Sequence, residues 1–216
     1  MSDFYSKENY KLMEKFPELA PEAYKAYQAF SQAVMSEGHL SKKEKEIIAV
    51  AVAHATECPY CIDSHTKSAK KAGATLEELF EGVMVTAALE AGGAFTHRLQ
   101  MHNSYDGKKS ETYYNKADLQ DVFQKGDLLP EIQQSAKAFF GAATKSGSLS
   151  AKLKELIAVA IAHTTECPYC IDMHTQYAKK EGNSKEELAE AIMVASLLRS
   201  GGAVSHASNM MKAFQE

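Results

Sequence analysis

A shift of 109 positions carries Cys58 and Cys61 onto Cys167 and Cys170, His54 onto His163, His65 onto His174, and Gly73 onto Gly182. The same shift joins Pro21 to Pro130, Gly92–Gly93 to Gly201–Gly202 and His97 to His206, with no gap anywhere along the list. Between Ser41–Gly73 and Ser150–Gly182, 24 of 33 aligned positions are identical. The chain is therefore two copies of one unit, and whatever a unit folds into, the chain contains twice. We expect one copy over residues 1–108 and the other over 109–216. The polar stretch Asn103–Lys116 reads as the join. Each copy looks self-sufficient, with its own Cys-x-x-Cys pair and its own helix-borne histidine.

The local signals are helical. Sustained apolar/polar alternation and hairpin turns between apolar runs are both missing. Ser41-Lys-Lys-Glu44, Thr75-Leu-Glu-Glu78 and Ser184-Lys-Glu-Glu187 fit the capping box, in which the first side chain and the acid three residues on satisfy each other's backbone N–H. Leu153 replaces the acid in the copy of the first box, so Ser150 is left to cap alone. In first-copy numbers the pattern predicts helices near 22–36, 42–56, 59–72, 76–90 and 93–103. Gly73 and Gly182 are placed to close helices in the left-handed conformation, and Gly92–Gly93 to separate the fourth helix from the fifth. The expected fold is all-α: two helical repeats packed as a pseudo-twofold multi-helix bundle.

Composition narrows the function. With 45% hydrophobic residues and 24% charged, the chain can bury a core. A net charge of −4 displays no basic surface for nucleic acid or anionic membrane. The longest apolar runs, Ile47–Ala53 and Leu156–Ala162, are far short of the ~18–20 residues that span a bilayer. The opening residues MSDFYSKENY lack the apolar segment of a secretory leader, so a cytoplasmic, reducing setting is expected. In that setting four cysteines in two Cys-x-x-Cys pairs read as redox thiols or as halves of a metal site, rather than as a disulfide framework.

The segment His54-Ala-Thr-Glu-Cys58-Pro-Tyr-Cys61-Ile-Asp-Ser-His65 shows how a thiol is activated. Proline belongs in the first turn of a helix, so Pro59 puts Cys58 at the N-cap. Cys61 then lies in the first turn, where unpaired amides and the helix dipole favour a negative sulfur and lower its pKa. His65, four residues on, shares the face of Cys61 and is placed to donate to the sulfur or relay a proton. Glu46 begins the apolar helix before the motif, and partial desolvation there is expected to raise its pKa toward the working pH. The second copy repeats every part as Glu155, Cys167, Cys170 and His174.

The string Glu-x11-Cys-x2-Cys-x3-His, at Glu46/Cys58/Cys61/His65 and again at Glu155/Cys167/Cys170/His174, resembles the alkylhydroperoxidase AhpD-like core of the carboxymuconolactone decarboxylase superfamily. The resemblance covers residues 41–91 and 150–200 best. It implies a thiol-dependent hydroperoxide reductase with no cofactor or metal, in which a dithiol cycles to a disulfide. Cys61 and Cys170 would attack the peroxide, and Cys58 and Cys167 would resolve the sulfenate. Glu46/His65 and Glu155/His174 would move protons. A hydroperoxide, a dithiol or protein disulfide reductant, and other copies of the chain in a homo-oligomer would be the partners, with no role for nucleic acid or membrane. The relatives proper carry one cysteine pair per two repeats with a histidine between the cysteines; here both copies keep the full set, and Tyr60 and Tyr169 stand between.

Other readings remain open from the sequence. A disulfide-exchange adaptor for a peroxiredoxin-type partner uses the same thiols. A zinc-stabilised scaffold uses the pairs as ligands, for which His54, Cys58, Cys61 and His65 would count as four. Lactone decarboxylation, the activity for which the superfamily is named, does not look cysteine-dependent. His54/His163 and His97/His206 read as packing or hydrogen-bonding residues, although either pair is near enough in sequence to reach the pocket.

Overall fold

The helix boundaries repeat at the offset seen in the sequence. The structure, a computed structural model, describes residues 5–108, 112, 114–115 and 128–215. Short helical turns α1 (Lys7–Lys11) and α2 (Phe16–Leu19) lead into α3 (Pro21–Met35), α4 (Lys42–Ala55), α5 (Pro59–Lys71) and α6 (Leu76–Tyr105). The second copy supplies α7 (Pro130–Thr144), α8 (Ala151–Thr164), α9 (Pro168–Lys180) and α10 (Lys185–Gln215). Among the described residues there is no strand, so the all-α bundle of two repeats is as expected. The expected join at Asn103–Lys116 falls partly in α6 and partly on residues outside the described ones.

The caps follow the sequence. Ser41 with Glu44, Thr75 with Glu78 and Ser184 with Glu187 each form the reciprocal pair. Ser150 caps the N–H of Leu153 at 3.2 Å, without a returning acid. Gly73 and Gly182 take φ of 88° and 83°, the left-handed conformation that ends α5 and α9, and the N–H groups of Gly73, Ala74, Gly182 and Asn183 donate to carbonyls near the helix ends.

One boundary differs from expectation. Gly92–Gly93 and Gly201–Gly202 do not break a helix: α6 and α10 run unbroken through them for 30 and 31 residues. Tertiary packing outweighs the propensity cost of about 1 kcal/mol per glycine. Gly92 and Gly93 have open space beside them, whereas the second-copy pair faces a neighbour. A Cβ on Gly201 would lie 3.2 Å from the Tyr27 hydroxyl, and one on Gly202 would touch Cys58 Cβ at 4.0 Å. Alone among the described helices, α10 is long and apolar enough to cross a membrane by length and composition, although no long unbroken apolar run marks it; here it lies along α8 and α4.

The core is the pair of apolar helices. Ile47–Ala53 on α4 and Leu156–Ala162 on α8 are almost entirely shielded from water, and the two helices pack on each other. The long helices then cross over. α6 lies against α4 of its own copy and also against α7, α8 and α9 of the other. α10 in turn lies against α8 and against α3, α4 and α5. The outer helices α3 and α7 therefore pack mainly on the twin's long helix, and the two copies interleave.

A pair of buried clamps locks the crossing. Glu190 on α10 accepts the backbone N–H of His39 and Leu40 and pairs with Lys45 at 2.9 Å. At the equivalent place Glu81 on α6 accepts from Ser148 and Leu149 and pairs with Lys154 at 2.9 Å. Both lysines are buried. Gly38 and Gly147 are without side chains because a Cβ there would collide with the clamping carboxylates. Burial alone would push the Glu81 carboxyl up, but the N–H of Leu149, Lys154 and the N–H of Ser148 outweigh it and hold the group at about 2; Glu190 is also lowered. A carboxyl depressed by folding stabilises the fold above its ordinary range and loses that contribution only as pH falls toward the depressed value. The double change Glu81→Gln with Glu190→Gln is expected to cost roughly 3–6 kcal/mol, about 1.5–3 per charged hydrogen-bond site, read as a fall in urea midpoint at pH 7. An unchanged midpoint would show that the clamps contribute nothing.

Candidate active site

The cysteine pairs sit where helix physics puts them. Cys58 and Cys167 are N-caps of α5 and α9, each followed by proline at the first helical position. The backbone N–H of Cys61 donates to Cys58 Sγ at 3.3 Å, and that of Cys170 to Cys167 Sγ at 3.3 Å. All four are free thiols and all are buried. Glu57 and Glu166, immediately before each pair, adopt φ of 52° and 57°, a left-handed kink that turns the chain from the apolar helix into the motif. Glu57 has thereby left the helix that carries Glu46 and is exposed.

Glu46 and His65 meet, as do Glu155 and His174. In each case histidine Nδ1 donates to the carboxylate at 2.8 Å. The sulfur contact expected of His65 is replaced by this bond to Glu46. The expected rise in the Glu46 pKa is also reversed. Burial pushes it up, but the hydrogen bond and charge of His65 and then Lys42, 3.0 Å away, hold it below the usual carboxylate range. Ala151 occupies the place of Lys42 in the second copy, so Glu155 has the histidine without the lysine.

Which sulfur ionises first also differs from the reading of the motif. In the first copy the Cys61 thiol hydrogen-bonds Cys58, the Cys61 N–H adds to it, and His206 contributes charge and a further hydrogen bond; together these outweigh burial and bring Cys58 down to about 6. Cys61, holding the proton beside that thiolate, is pushed up. In the second copy Cys170, its N–H, Thr96 and His97 bring Cys167 down to about 5, and Cys170 is raised. The first-turn position does favour negative sulfur, but the amide is aimed at the N-cap sulfur. Each pair thus holds one charge and one shared proton.

His206 and His97 are what reading each copy by itself missed. His206 is on α10 of the second copy and acts on Cys58 of the first; His97 is on α6 of the first copy and acts on Cys167 of the second. Nε2 of each is buried and without a hydrogen-bond partner among the described residues. Thr96, also on α6, places its hydroxyl 3.7 Å from Cys167 Sγ. The tyrosines inside the motif are tied across in the same way: Tyr60 donates to Asn209 Oδ1 at 3.1 Å, and Gln100 donates to the Tyr169 hydroxyl at 2.8 Å. The 109-residue offset joins these residues pairwise, but nothing in it says that each serves the twin's cysteines. His54 and His163 stay outside, each donating Nδ1–H to a carbonyl of its own helix at 2.8 Å.

Each site opens on a cavity. One of about 200 Å³ is lined by Cys61, His65, Tyr27 and Ser205, and one of about 230 Å³ by Cys170, His174, Glu155 and Thr96. The second cysteine of each pair faces the cavity while the first lies behind it. Among the described residues, no three or more His, Cys, Asp or Glu side chains are grouped so as to hold a metal ion.

Fold and site together define a duplicated all-α protein with a buried Cys-x-x-Cys dithiol in each half. The sequence profile of the carboxymuconolactone decarboxylase family matches residues 21–101 and 130–213, one segment in each copy, and the chain belongs to that family. The chain is 47% identical over 72 residues to an uncharacterized protein encoded in the cox locus of Paracoccus denitrificans, an alignment covering 33% of this chain and 65% of that protein. It is 34% identical over 89 residues to an uncharacterized protein of Cupriavidus necator, covering 41% of this chain and 79% of the relative. These alignments span less than half of this chain and most of each relative, which is the size of one copy. A crystal structure of a protein described as a gamma-carboxymuconolactone decarboxylase subunit of Burkholderia xenovorans shares the fold, with a TM-score of 0.72 at 20% identity over 94% of this chain and 89% of that one.

Proposed function

We propose that the protein is a thiol-dependent hydroperoxide reductase, an antioxidant enzyme that turns over a dithiol/disulfide pair in each half. The observation that carries the reading is the setting of each buried cysteine pair: the first sulfur accepts the second cysteine's backbone N–H at 3.3 Å at a helix mouth, beside a cavity and a histidine–carboxylate pair. Family membership supports a related activity. The doubled cysteine pair favours thiol chemistry over lactone decarboxylation, which has no evident use for it.

The steps follow from the shared proton. Movement of that proton from Cys61 to Cys58 leaves a thiolate facing the cavity. It attacks the terminal oxygen of ROOH; the S–O bond forms, the O–O bond breaks, and the alkoxide takes the proton held by Cys58, leaving as ROH. Cys58, now a thiolate, attacks the Cys61 sulfenic acid; the S–S bond forms and hydroxide leaves, protonated to water through the His65–Glu46 pair. An external dithiol then reduces the disulfide by exchange and is itself oxidised. Cys170, Cys167, His174 and Glu155 do the same in the second half. The same dithiol/disulfide pair, exchanging with a protein disulfide instead of peroxide, would serve a disulfide-exchange adaptor.

The test is mass spectrometry of the Cys58–Cys61 and Cys167–Cys170 peptides before and after an alkyl hydroperoxide, together with turnover of the double variant Cys61→Ser, Cys170→Ser. Each wild-type peptide should lose two hydrogens as an internal disulfide, and the variant should fall to background turnover. Thiols left unchanged by the peroxide, or undiminished turnover in the variant, would reject the reading.

A further inference from the structure

The two cavities are similar in volume but not in lining, although they descend from one unit. Around Cys170 the wall is made by Phe95, Phe140 and Met173, with Tyr177 beside His174. Phe95 and Phe140 meet edge-on at 5.7 Å, and the guanidinium of Arg98 lies 3.7 Å from the Phe95 ring centre, fixing the ring at its outer face. Tyr177 sets its ring edge-on to His174 at 5.8 Å. In the first copy the positions equivalent to Phe95, Phe140, Met173 and Tyr177 are Val204, Ser31, Ser64 and Ser68, and Ala207 stands in place of Arg98. There the lining around Cys61 includes the hydroxyl-bearing Tyr24, Tyr27, Ser31, Ser64 and Ser205 beside apolar Phe16 and Leu197, and it is on balance polar. Tyr27, whose own proton is held more tightly because of burial and the charge of the cysteine pair, has Ala136 as its second-copy counterpart. Phe95/Val204, Phe140/Ser31 and Met173/Ser64 are exchanges on the two cavity walls, whereas the cysteines, histidine and glutamate are unchanged.

Taking the proposed peroxide chemistry as its basis, we infer that the two halves divide the substrates between them. The second-copy site takes hydroperoxides with a bulky apolar organic group, and the first-copy site takes small polar ones such as hydrogen peroxide. An apolar group gains from leaving water against phenyl and thioether surface, and loses where it would strip water from four or five hydroxyls. A volume of about 230 Å³ is adequate for an aromatic hydroperoxide, since an apolar cavity of roughly 150 Å³ holds benzene. Hydroxyls placed around the attacking sulfur give a small peroxide the hydrogen bonds it would otherwise make to water.

The experiment isolates each site. Cys58→Ser with Cys61→Ser leaves the second-copy site; Cys167→Ser with Cys170→Ser leaves the first. For each protein kcat/KM is measured with cumene hydroperoxide and with hydrogen peroxide, using dithiothreitol as reductant. The cumene-to-hydrogen-peroxide ratio should be about tenfold or more higher for the second-copy site. Adding Phe140→Ser and Met173→Ser, the residues of the first-copy site, should bring that ratio down to the first-copy value. Equal or reversed ratios would overturn the division of substrates while leaving the peroxidase reading in place. If neither single-site protein consumes any peroxide, the peroxidase reading fails instead. Alkylation rates with N-phenylmaleimide and iodoacetamide then still compare the linings: a ratio skewed toward the aromatic reagent only at Cys170 keeps the inference about ligand class, and equal ratios reject it.

Discussion

Replacing His206 by phenylalanine is expected to slow alkylation of Cys58 about tenfold at about pH 4.5, while Cys167 keeps its wild-type rate; replacing His97 should do the reverse. The reason is the crossing of α6 and α10. His206 adds charge and a hydrogen bond to Cys58 in the other half, and His97 adds a hydrogen bond to Cys167. A hydrogen bond to a charged group is worth about 1.5–3 kcal/mol, and about 1.4 kcal/mol is one pKa unit. Below its pKa a thiol loses thiolate in proportion to that shift. Phenylalanine keeps the ring that packs at 5.5 Å from Tyr5 and 6.3 Å from Tyr60, so the change removes the polar atoms more than the shape. Site-resolved alkylation by peptide mapping checks the outcome. A variant that slows the cysteines of its own copy, or both pairs alike, would contradict the crossed assembly.

In the unaltered protein, the first thiol of each pair should alkylate with a midpoint near pH 6 for Cys58 and near pH 5 for Cys167. An ordinary thiol titrates at about 8.5, so at pH 6 it is about 0.3% thiolate, whereas half or more of each pair is charged. The expected gain in reactive sulfur is therefore on the order of a hundredfold. Reactivity should be lost as pH falls through those midpoints, because the folded state favours the ionised form. The Thr96 hydroxyl lies 3.7 Å from the Cys167 sulfur and favours its charge, so Thr96→Val should raise that midpoint. The second proton of each pair should stay bound, since the sulfur that holds it is pushed up by its charged neighbour. Midpoints near the ordinary value would remove the basis for peroxide chemistry at neutral pH.

The contrast between Glu46 and His206 shows how far the sequence reaches. Glu46 and His65 are 19 residues apart on consecutive helices of one copy, and the family resemblance already implied that they share one proton relay. It was not enough to give the sign of the Glu46 shift, because that depended on how His65 and Lys42 weigh against burial. Gly92–Gly93 misled for a related reason. A glycine pair is a helix breaker by propensity, at about 1 kcal/mol each, but the packing of the whole long helix against both copies outweighs that cost.

By itself the sequence determined the duplication, the all-α class, the caps, and the string of glutamate, cysteines and histidine in each half, because these depend on neighbours within a few turns. Only the tertiary structure decided that α6 and α10 cross between the copies. That crossing brings His206 and His97 to the twin's sulfurs, selects which thiol of each pair is charged, and gives two cavities of one ancestry different walls. The physical reason is that burial and electrostatics depend on distance in space, and two interleaved copies place cross-copy hydrogen-bond partners, such as Glu81 with Ser148 and Glu190 with His39, 67 and 151 residues apart in sequence.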